Sequence, residues 1–525
     1  SDLLLGDLLY QISGANEDFA NKDISKMLEG NRATVLASLY LLRLDPMGAV
    51  ASQAITVWKM LVVNTPKTLK LLMPTMMVVI LKQLSGNEEE REVASQTLAE
   101  LVNKMGDRVL GDIIPILEKE LDVANSETRV GICIGLAAVL ESVPKHHIAE
   151  YFDLLLPAIT KALCDPDSEV RTAAAGAFDA LHKGVGDRAI NECLPVLLSR
   201  MEDPDHTVSH CALQGVQQLL VLRSQLILPI LLPKLMTIPM TNFNAKALAS
   251  IAEVAGNGLN PYLSNIVPVL IRLKHANEAE KANAPSDPEV LDRALNAVVL
   301  SVEGSGLGIL LSELARFTSD GSPALRIAAL TLLGFYAKNK GKTVPKGWLE
   351  QISAVIGLAL RSYHDREPNV VNSAIAALGE IMATIDPETV ADSPINYIQT
   401  INDTIESLHV PDTLEGFSAP GGLGPLLPVF VAAMRNGSSE MREQVSLGIR
   451  GMVSKTEPVA LTSAVLQTIA GPLIRILSEP NLESRIRADI LMTLNLLVER
   501  GGEKIKIFAT TLQVTFIKAI SSTFK

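Results

Sequence analysis

Aromatic residues are scarce in this 525-residue chain: Phe, Trp and Tyr together make up 4% of it, although 48% of its residues are hydrophobic. The apolar content excludes disorder, and the shortage of aromatic rings is typical of aliphatic helices that pack closely. Cysteine is equally rare. The four cysteines, at positions 133, 164, 193 and 211, have no Cys-x-x-Cys spacing and lie in or beside apolar segments. We interpret them as reduced packing residues in a reducing compartment and predict a cytoplasmic protein.

Long hydrophobic runs and a signal peptide are also missing. The two longest apolar runs, residues 71–81 and 226–236, are interrupted by proline and are too short to span a bilayer. The sequence therefore predicts a soluble protein with no membrane partner.

Positively charged residues are in the minority: the chain has 46 Lys and Arg and 58 Asp and Glu, which gives a net charge of −12. Binding of nucleic acid by charge alone needs clustered Lys and Arg, so this balance argues against it. One local basic run stands out, and it indicates either a solvated loop or a contact with RNA or an acidic partner. The run consists of Lys338, Lys340, Lys342 and Lys346.

Motifs for catalysis, cofactor binding and metal binding are missing as well. The glycine cluster at residues 304–308 has no preceding strand, so a turn between helices explains it better than a dinucleotide loop does. His206, His210 and Cys211 fall within about one helical turn, but no fourth ligand is spaced to complete a metal site. We therefore expect no enzyme, no cofactor and no metal.

What the chain does contain is a pattern of short helix pairs, clearest in residues 155–186. Apolar residues recur there at intervals of three to four, which predicts one buried face on each of two helices. Pro166 separates the two helices because it cannot donate an intrahelical hydrogen bond, and Asp167 or Ser168 can cap the second one. A pair this short cannot bury its apolar face alone and needs neighbours of its kind. Phe178 and Leu181 are expected to be buried between such neighbours.

The pattern recurs along the chain at nearly constant spacing. Successive prolines of the first helices are separated by 115 − 74 = 41, 157 − 115 = 42, 195 − 157 = 38, 233 − 195 = 38 and 268 − 233 = 35 residues. Helical repeats of about 40 to 47 residues are typical of HEAT and armadillo proteins, and the Asp and Val-Arg of the turn within each repeat favour HEAT. The sequence therefore predicts an all-α fold, a HEAT-repeat α-solenoid in which antiparallel helix pairs form a superhelical stack.

The turn residues also predict contacts between repeats. In HEAT repeats the turn Asp of one repeat often bonds to the Arg or the backbone of a neighbour. We therefore expect Arg171 and Asp203 to lie near each other, one repeat apart and partly exposed, where such a pair adds about 0 to 1 kcal/mol to stability.

Changes in composition divide the predicted solenoid into four segments. Residues 1–270 form the first set of HEAT repeats, and residues 271–408 form a second set after a polar loop. Residues 409–425 are rich in Gly and Pro, which disfavour a continuous helix. Residues 426–525 return to the repeat pattern.

Several short sequence strings, spread over nearly the whole chain, point to a narrower group of proteins than the HEAT period alone does. They include Leu5-Gly6-Asp7-Leu8-Leu9, Trp58-Lys59 with Asn64-Thr65-Pro66, Lys161-Ala162-Leu163-Cys164-Asp165-Pro166, Gly416-Phe417, Gly471-Pro472-Leu473-Ile474-Arg475-Ile476 and Leu512-Gln513-Val514-Thr515-Phe516. Together they resemble the C-terminal region of the general-control-nonderepressible translational activators, a family of large ribosome-associated HEAT-repeat proteins.

This resemblance implies a non-catalytic scaffold. Members of the family bind translating ribosomes, especially stalled or collided ones, and they bind the RWD domain of the general-control kinase. They thereby promote phosphorylation of translation initiation factor two alpha during amino-acid starvation. An ATP-binding-cassette co-activator binds a region that we expect to lie outside this chain. On the architecture alone, a nuclear transport receptor or a phosphatase scaffold is the alternative.

The resemblance also implies two contact sites. The kinase-docking region is expected to overlap residues 426–525, and the arginine implied for kinase contact is Arg475. From the residues alone, an arginine bonded to the carbonyls of a neighbouring repeat is an equal alternative. Pro472 predicts the first turn of a helix that places Arg475 on the surface. The lysine run at 338–346 becomes the candidate ribosome contact.

Overall fold

A computed structural model describes residues 22–105, 109–123, 125–279, 286–341, 345–393, 395–410, 412–479 and 482–523. The regular elements in these ranges are all helical, and no strand occurs among them. The predicted all-α HEAT-repeat solenoid is therefore confirmed. The chain forms two compact units that divide between Pro233 and Lys234.

The first unit consists of eleven helices in its described part. They are α1 (Lys22–Leu42), α2 (Gly48–Leu61), α3 (Thr65–Leu84), α4 (Glu88–Met105), α5 (Leu110–Val123), α6 (Ser126–Ser142), α7 (Lys145–Glu150), α8 (Phe152–Leu163), α9 (Ser168–Val185), α10 (Asp187–Met201) and α11 (His206–Leu235), whose last two residues belong to the second unit.

The second unit continues the helix pairs and adds short 3₁₀-helices at Gly256–Tyr262, Ser362–His364, Pro387–Asp392 and Gly502–Phe508. Its α-helices are α12 (Asn242–Ala255), α13 (Leu263–Ala279), α14 (Pro288–Ser301), α15 (Ser305–Thr318), α16 (Pro323–Lys340), α17 (Pro345–Arg361), α18 (Pro368–Met382), α19 (Tyr397–Ser407), α20 (Glu415–Ser418), α21 (Leu427–Asn436), α22 (Ser439–Ser454), α23 (Ser463–Leu477), α24 (Ser484–Gly501) and α25 (Ala509–Thr523).

The evenly spaced prolines lie inside the first helix of their repeats. Pro115 is in α5, Pro157 in α8 and Pro195 in α10, and all three are exposed. A proline inside a helix leaves the carbonyl four residues earlier without its hydrogen bond. On an exposed face water can satisfy that carbonyl, so each repeat tolerates its proline.

The second helices of successive repeats stack on each other and form the core. In the first unit α6 packs against α4 and α9 packs against α6, and in the second unit α14 packs against α12 and α18 against α16. Phe178 and Leu181 of α9 are 1% and 0% exposed, so their predicted burial is confirmed. The start of α9 is also as predicted, because the Asp167 carboxylate accepts a hydrogen bond from the backbone N–H of Glu169 at 2.9 Å.

One helix in the described part of the chain, His206–Leu235, is long and apolar enough to cross a membrane by length and composition. Its backbone is broken at Arg223, where φ is −141° and ψ is 45°. The Arg223 Nε donates to Asp179 Oδ1 at 2.8 Å, which ties the break to α9. The break divides α11 into two segments, and each is shorter than the roughly 20 residues that a membrane-spanning helix needs.

The Gly/Pro-rich segment packs against the 3₁₀-helix Ser362–His364 that follows α17. The Tyr363 hydroxyl donates to the carbonyl of Gly422 at 3.1 Å, and the rings of Tyr363 and Phe417 meet edge to face at 5.7 Å. A Cβ on Gly416 would lie 2.2 Å from the Tyr363 ring, so only glycine fits there. The segment therefore buries its own apolar residues although it carries only one short α-helix, α20.

Candidate partner-binding surface

Helix α23 carries Arg475, the arginine for which the family resemblance implied a kinase contact. The helix starts at Ser463, where the Thr462 Oγ1 accepts a hydrogen bond from the backbone N–H of Val465 at 3.4 Å. Pro472 therefore lies well inside the helix, and the prediction that it occupies the first turn was wrong. The cap sets the start of the helix, and the proline is tolerated in the interior as it is in the other first helices.

Arg475 lies in the last turn of α23 and is exposed, as the apolar pattern predicted. Leu473 and Ile476 on either side of it are buried, at 1% and 4% exposure. A positive charge at the end of a helix interacts favourably with the helix dipole, which suits this position without any partner. The guanidinium makes no hydrogen bond or ion pair with a described residue, and in particular none with the carbonyls of a neighbouring repeat. A partner-docking role stays a prediction.

An open groove of about 560 Å³ lies between α23, α24 and α25, and Ile474, which precedes Arg475 in the chain, is one of its lining residues. Ile474 and Leu477 of α23 and Val514 of α25 supply its apolar lining. Arg487 of α24 and Lys518 of α25 supply cationic groups, and no carboxylate lines it among the described residues. The groove therefore suits an apolar segment that also carries negative charge.

Two lysines of the basic run form ion pairs between repeats. Lys338 Nζ lies 3.2 Å from Glu380 Oε1, and Lys340 Nζ lies 2.9 Å from Glu303 Oε1. These pairs link α16 to α18 and to the residues after α14. An external phosphate or carboxylate would have to compete with them, so these two lysines are less available than a free basic patch would be.

The structure does not describe the side chains of the other two lysines of the run. Lys342 lies outside the described residues, and the side chain of Lys346, near the start of α17, is likewise not described. The ribosome contact assigned to the run therefore stays a prediction for all four lysines.

A ladder of arginine–carboxylate pairs links the turns of successive repeats. Arg129 holds Asp165 through Nε at 2.8 Å and Nη2 at 3.0 Å, and Arg326 holds Asp365 in the same way at 2.7 and 2.9 Å. Arg442 reaches Glu479 at 2.8 Å. Turn residues therefore do bond between repeats, as expected. The pairs that form are not the pair that was predicted from the sequence.

The pair that the sequence reasoning did name is not formed. Arg171 Nη1 donates to the backbone carbonyls of Asp165 at 2.6 Å and Pro166 at 2.8 Å, within its own repeat. No bond joins it to Asp203, although both residues are described. Arg171 is 5% exposed, so its guanidinium turns inward to close the turn and does not extend to the next repeat.

Two of the four cysteines, Cys133 and Cys193, are buried packing residues. Burial raises the pKa of Cys133 and of Cys193 to about 12, so both thiols remain protonated and unreactive at neutral pH. Around His206, His210 and Cys211, as in the rest of the described chain, no group of three or more potential metal ligands occurs.

Comparisons with known proteins give the same family as the sequence strings. A family model described as stalled ribosome sensor GCN1-like, HEAT repeats, matches residues 227–421, and a HEAT-like repeat model matches residues 126–181. The eIF-2-alpha kinase activator GCN1 of Dictyostelium discoideum is 34% identical over 549 residues, which cover 99% of this chain. The stalled ribosome sensor GCN1 of Mus musculus is 35% identical over 541 residues, or 98% of this chain. The chain belongs to the GCN1 family.

The chain spans about a fifth of the length of these relatives, 20% of the Dictyostelium protein and 19% of the mouse protein. Among solved structures, Kap121p bound to Pho4p has a TM-score of 0.36 and 16% identity, and the match covers 99% of this chain and 52% of that one. So distant a likeness carries no argument about partners. The alternative of a transport receptor or phosphatase scaffold is not favoured, because the relatives at 34 to 35% identity are GCN1 proteins.

Proposed function

We propose that this chain is part of a non-catalytic cytoplasmic scaffold that binds translating or collided ribosomes and activates the general-control kinase. Through that kinase it promotes phosphorylation of translation initiation factor two alpha in the amino-acid starvation response. The observation that carries the proposal is the 34 to 35% identity to a kinase activator and a stalled-ribosome sensor, because it extends over 98 to 99% of the chain.

The fold supports a scaffold role. Stacked helix pairs have no closed core and present extended surfaces on which large partners can bind. Within each unit, the ladder pairs and the close packing of second helices join neighbouring repeats, so exposed side chains on those neighbours keep fixed positions. Surfaces of this kind can bind large partners without a catalytic residue.

For the kinase we propose that Arg475 contacts the RWD domain. The side chain is exposed and has no bond to a described residue, and the same helix contributes Ile474 and Leu477 to a groove with apolar and cationic lining. A guanidinium pairs with a carboxylate through two parallel hydrogen bonds and is a frequent hot spot of protein interfaces. The ATP-binding-cassette co-activator is proposed to bind outside this chain.

Two binding measurements on the purified chain test this function. We expect it to co-sediment with nuclease-resistant disomes, and to be retained by the immobilised RWD domain of the general-control kinase. Sedimentation should be repeated with monosomes to show whether collision matters. A folded chain, verified by circular dichroism, that binds neither ribosomes nor the RWD domain would refute the proposal for this segment. Ribosome binding without RWD binding would refute only the kinase contact.

A further inference from the structure

The outer face of α3 lies in one of the stretches of the chain that carry no acidic residue. Between Asp45 and Glu88 the sequence has no acidic residue, although the whole chain carries a net charge of −12. Four lysines lie in this interval, and three of them, Lys67, Lys70 and Lys82, are on α3. The interval is therefore a cationic region in an acidic protein.

These lysines surround an exposed apolar centre. Leu71 is 76% exposed and Val78 is 66% exposed. At about 100° per residue the lysines, Leu71, Val78 and the exposed Pro74 fall within an arc of about 120° of the helix. The three lysines form no ion pair or side-chain hydrogen bond with a described residue. We name this surface, made of Lys67, Lys70, Leu71, Pro74, Val78 and Lys82, the α3 face.

Four of the six equivalent positions on the next three first helices carry a charged residue, and two of those four form ion pairs. Counted from the shared proline, Leu71 corresponds to Asp112, Leu154 and Glu192, and Val78 corresponds to Lys119, Lys161 and Ser199. Lys161 Nζ lies 2.5 Å from Asp122 Oδ1 of the preceding first helix, and Glu192 Oε1 lies 2.8 Å from Arg188 Nε. The repeat pattern therefore does not require an apolar, acid-free face, and α3 departs from it.

We propose that the α3 face docks an acidic amphipathic helix of a partner protein. An apolar row about two turns long, flanked by cations, matches a helix whose own apolar row is flanked by Asp and Glu. Charge complementarity guides the partner to the face, and burial of Leu71 and Val78 holds it there. Phosphate groups of RNA would use the lysines but gain nothing from the apolar centre, so a protein partner explains both features. The inference does not depend on Arg475 or on the kinase.

The test measures binding of a fluorescein-labelled synthetic peptide of about 18 residues, five turns of helix, with Leu at i, i+3, i+4 and i+7 and Glu elsewhere. We expect the purified chain to raise the anisotropy of this peptide, and a peptide with Lys in place of Glu to bind at least tenfold more weakly. Leu71→Ser with Val78→Ser, and separately Lys67→Glu with Lys82→Glu, should each weaken binding at least tenfold. Both pairs are exposed, so circular dichroism and the thermal midpoint should not change.

Matched substitutions outside the α3 face serve as controls. Lys246 is exposed without a bond to a described residue, and Val459 is 81% exposed, so Lys246→Glu and Val459→Ser should leave peptide binding unchanged. Four outcomes would overturn the proposal. The first is that the peptide does not bind, and the second is that the control variants lose as much peptide affinity as the α3 variants. The third is that the chain self-associates and that the Leu71 and Val78 substitutions abolish this self-association. The fourth is that the chain prefers an RNA oligonucleotide or phosphatidylserine vesicles to the peptide, through the α3 lysines.

Discussion

Arg326 and Asp365 lie in the turns of successive repeats and bind each other through two parallel hydrogen bonds, Nε to Oδ2 at 2.7 Å and Nη2 to Oδ1 at 2.9 Å. Arg326 also donates from Nη1 to the carbonyls of Asp320 and Gly321 in its own turn. Both charged side chains are mostly buried, at 14% and 13% exposure. One guanidinium therefore closes its own turn and fixes the position of the next repeat.

Removing that guanidinium should destabilise the second unit. Arg326→Ala leaves the Asp365 carboxylate partly buried without its partner, and loss of one member of a buried pair lowers the free energy of unfolding by about 3 kcal/mol. Urea denaturation and amide hydrogen exchange should locate the loss around α16 and α18. Arg361 is an exposed arginine without a bond to a described residue, so Arg361→Ala is the control. Equal losses in the two variants would show that the pair does not matter.

The same pair should make the free energy of unfolding depend on pH. Burial by itself raises the pKa of Asp365, but the bonds from Arg326 and from the backbone of Glu367 outweigh it and hold the pKa below its ordinary value. A carboxyl with a lowered folded pKa stabilises the protein fully above its unfolded pKa of about 4, and the contribution is lost as pH falls through the lower folded value. Between pH 6 and pH 2, the wild type should therefore lose more stability than Asp365→Asn. Parallel curves would contradict this.

Close approach of helices gives a third prediction. A Cβ on Gly131 of α6 would lie 1.9 Å from the carbonyl oxygen of Leu84, whereas a Cβ on Gly176 of α9 would meet nothing within 4 Å. Gly131→Ala should therefore destabilise the first unit by about 1 to 3 kcal/mol through overpacking. Gly176→Ala should stabilise it by up to about 1 kcal/mol, because alanine is the better helix former. Thermal unfolding of the two variants should move in opposite directions, and shifts of the same sign would refute the packing argument.

Truncation of the buried ring of Phe178 should affect mainly its own repeats. Phe178→Ala should lower the free energy of unfolding by about 3 to 5 kcal/mol, since the ring is 1% exposed and leaves a cavity. In a linear array of repeats the damage should remain local and broaden the unfolding transition. Hydrogen exchange should show loss of protection around α9, with protection retained at α16. A uniform loss over both units would mean that the chain unfolds as a single cooperative domain.

The features that were predictable from sequence are those encoded locally. Apolar spacing, the capping residue Asp167 and the recurring prolines place the helices and bury Phe178, because each depends on neighbours within one repeat. The partner of Arg171 was predicted wrongly, since the choice between carbonyls of its own turn and Asp203 depends on how two repeats are placed. For the same reason the groove between α23, α24 and α25 could not be foreseen, because it arises where three helices meet. The lysines of the α3 face are evident in the sequence, but their exposure is not.

The last prediction distinguishes a partner-binding role of Arg475 from a structural role. Arg475→Ala should weaken binding of the kinase RWD domain by about 2 kcal/mol or more, the size of an interface hot spot, because the exposed guanidinium has no bond to a described residue that its loss would disturb. Ribosome co-sedimentation and the thermal midpoint should remain as in the wild type.

Arg435 supplies a matched control for this measurement. It lies in the last turn of α21, 475 − 435 = 40 residues earlier, and its side chain is likewise exposed without a bond to a described residue. Arg435→Ala removes the same charge from the last turn of another first helix, so it should leave RWD binding within about twofold of the wild type. If both variants weaken binding equally, the effect is one of net charge and not of docking at Arg475. If the folded Arg475→Ala chain binds as tightly as the wild type, the kinase contact lies elsewhere.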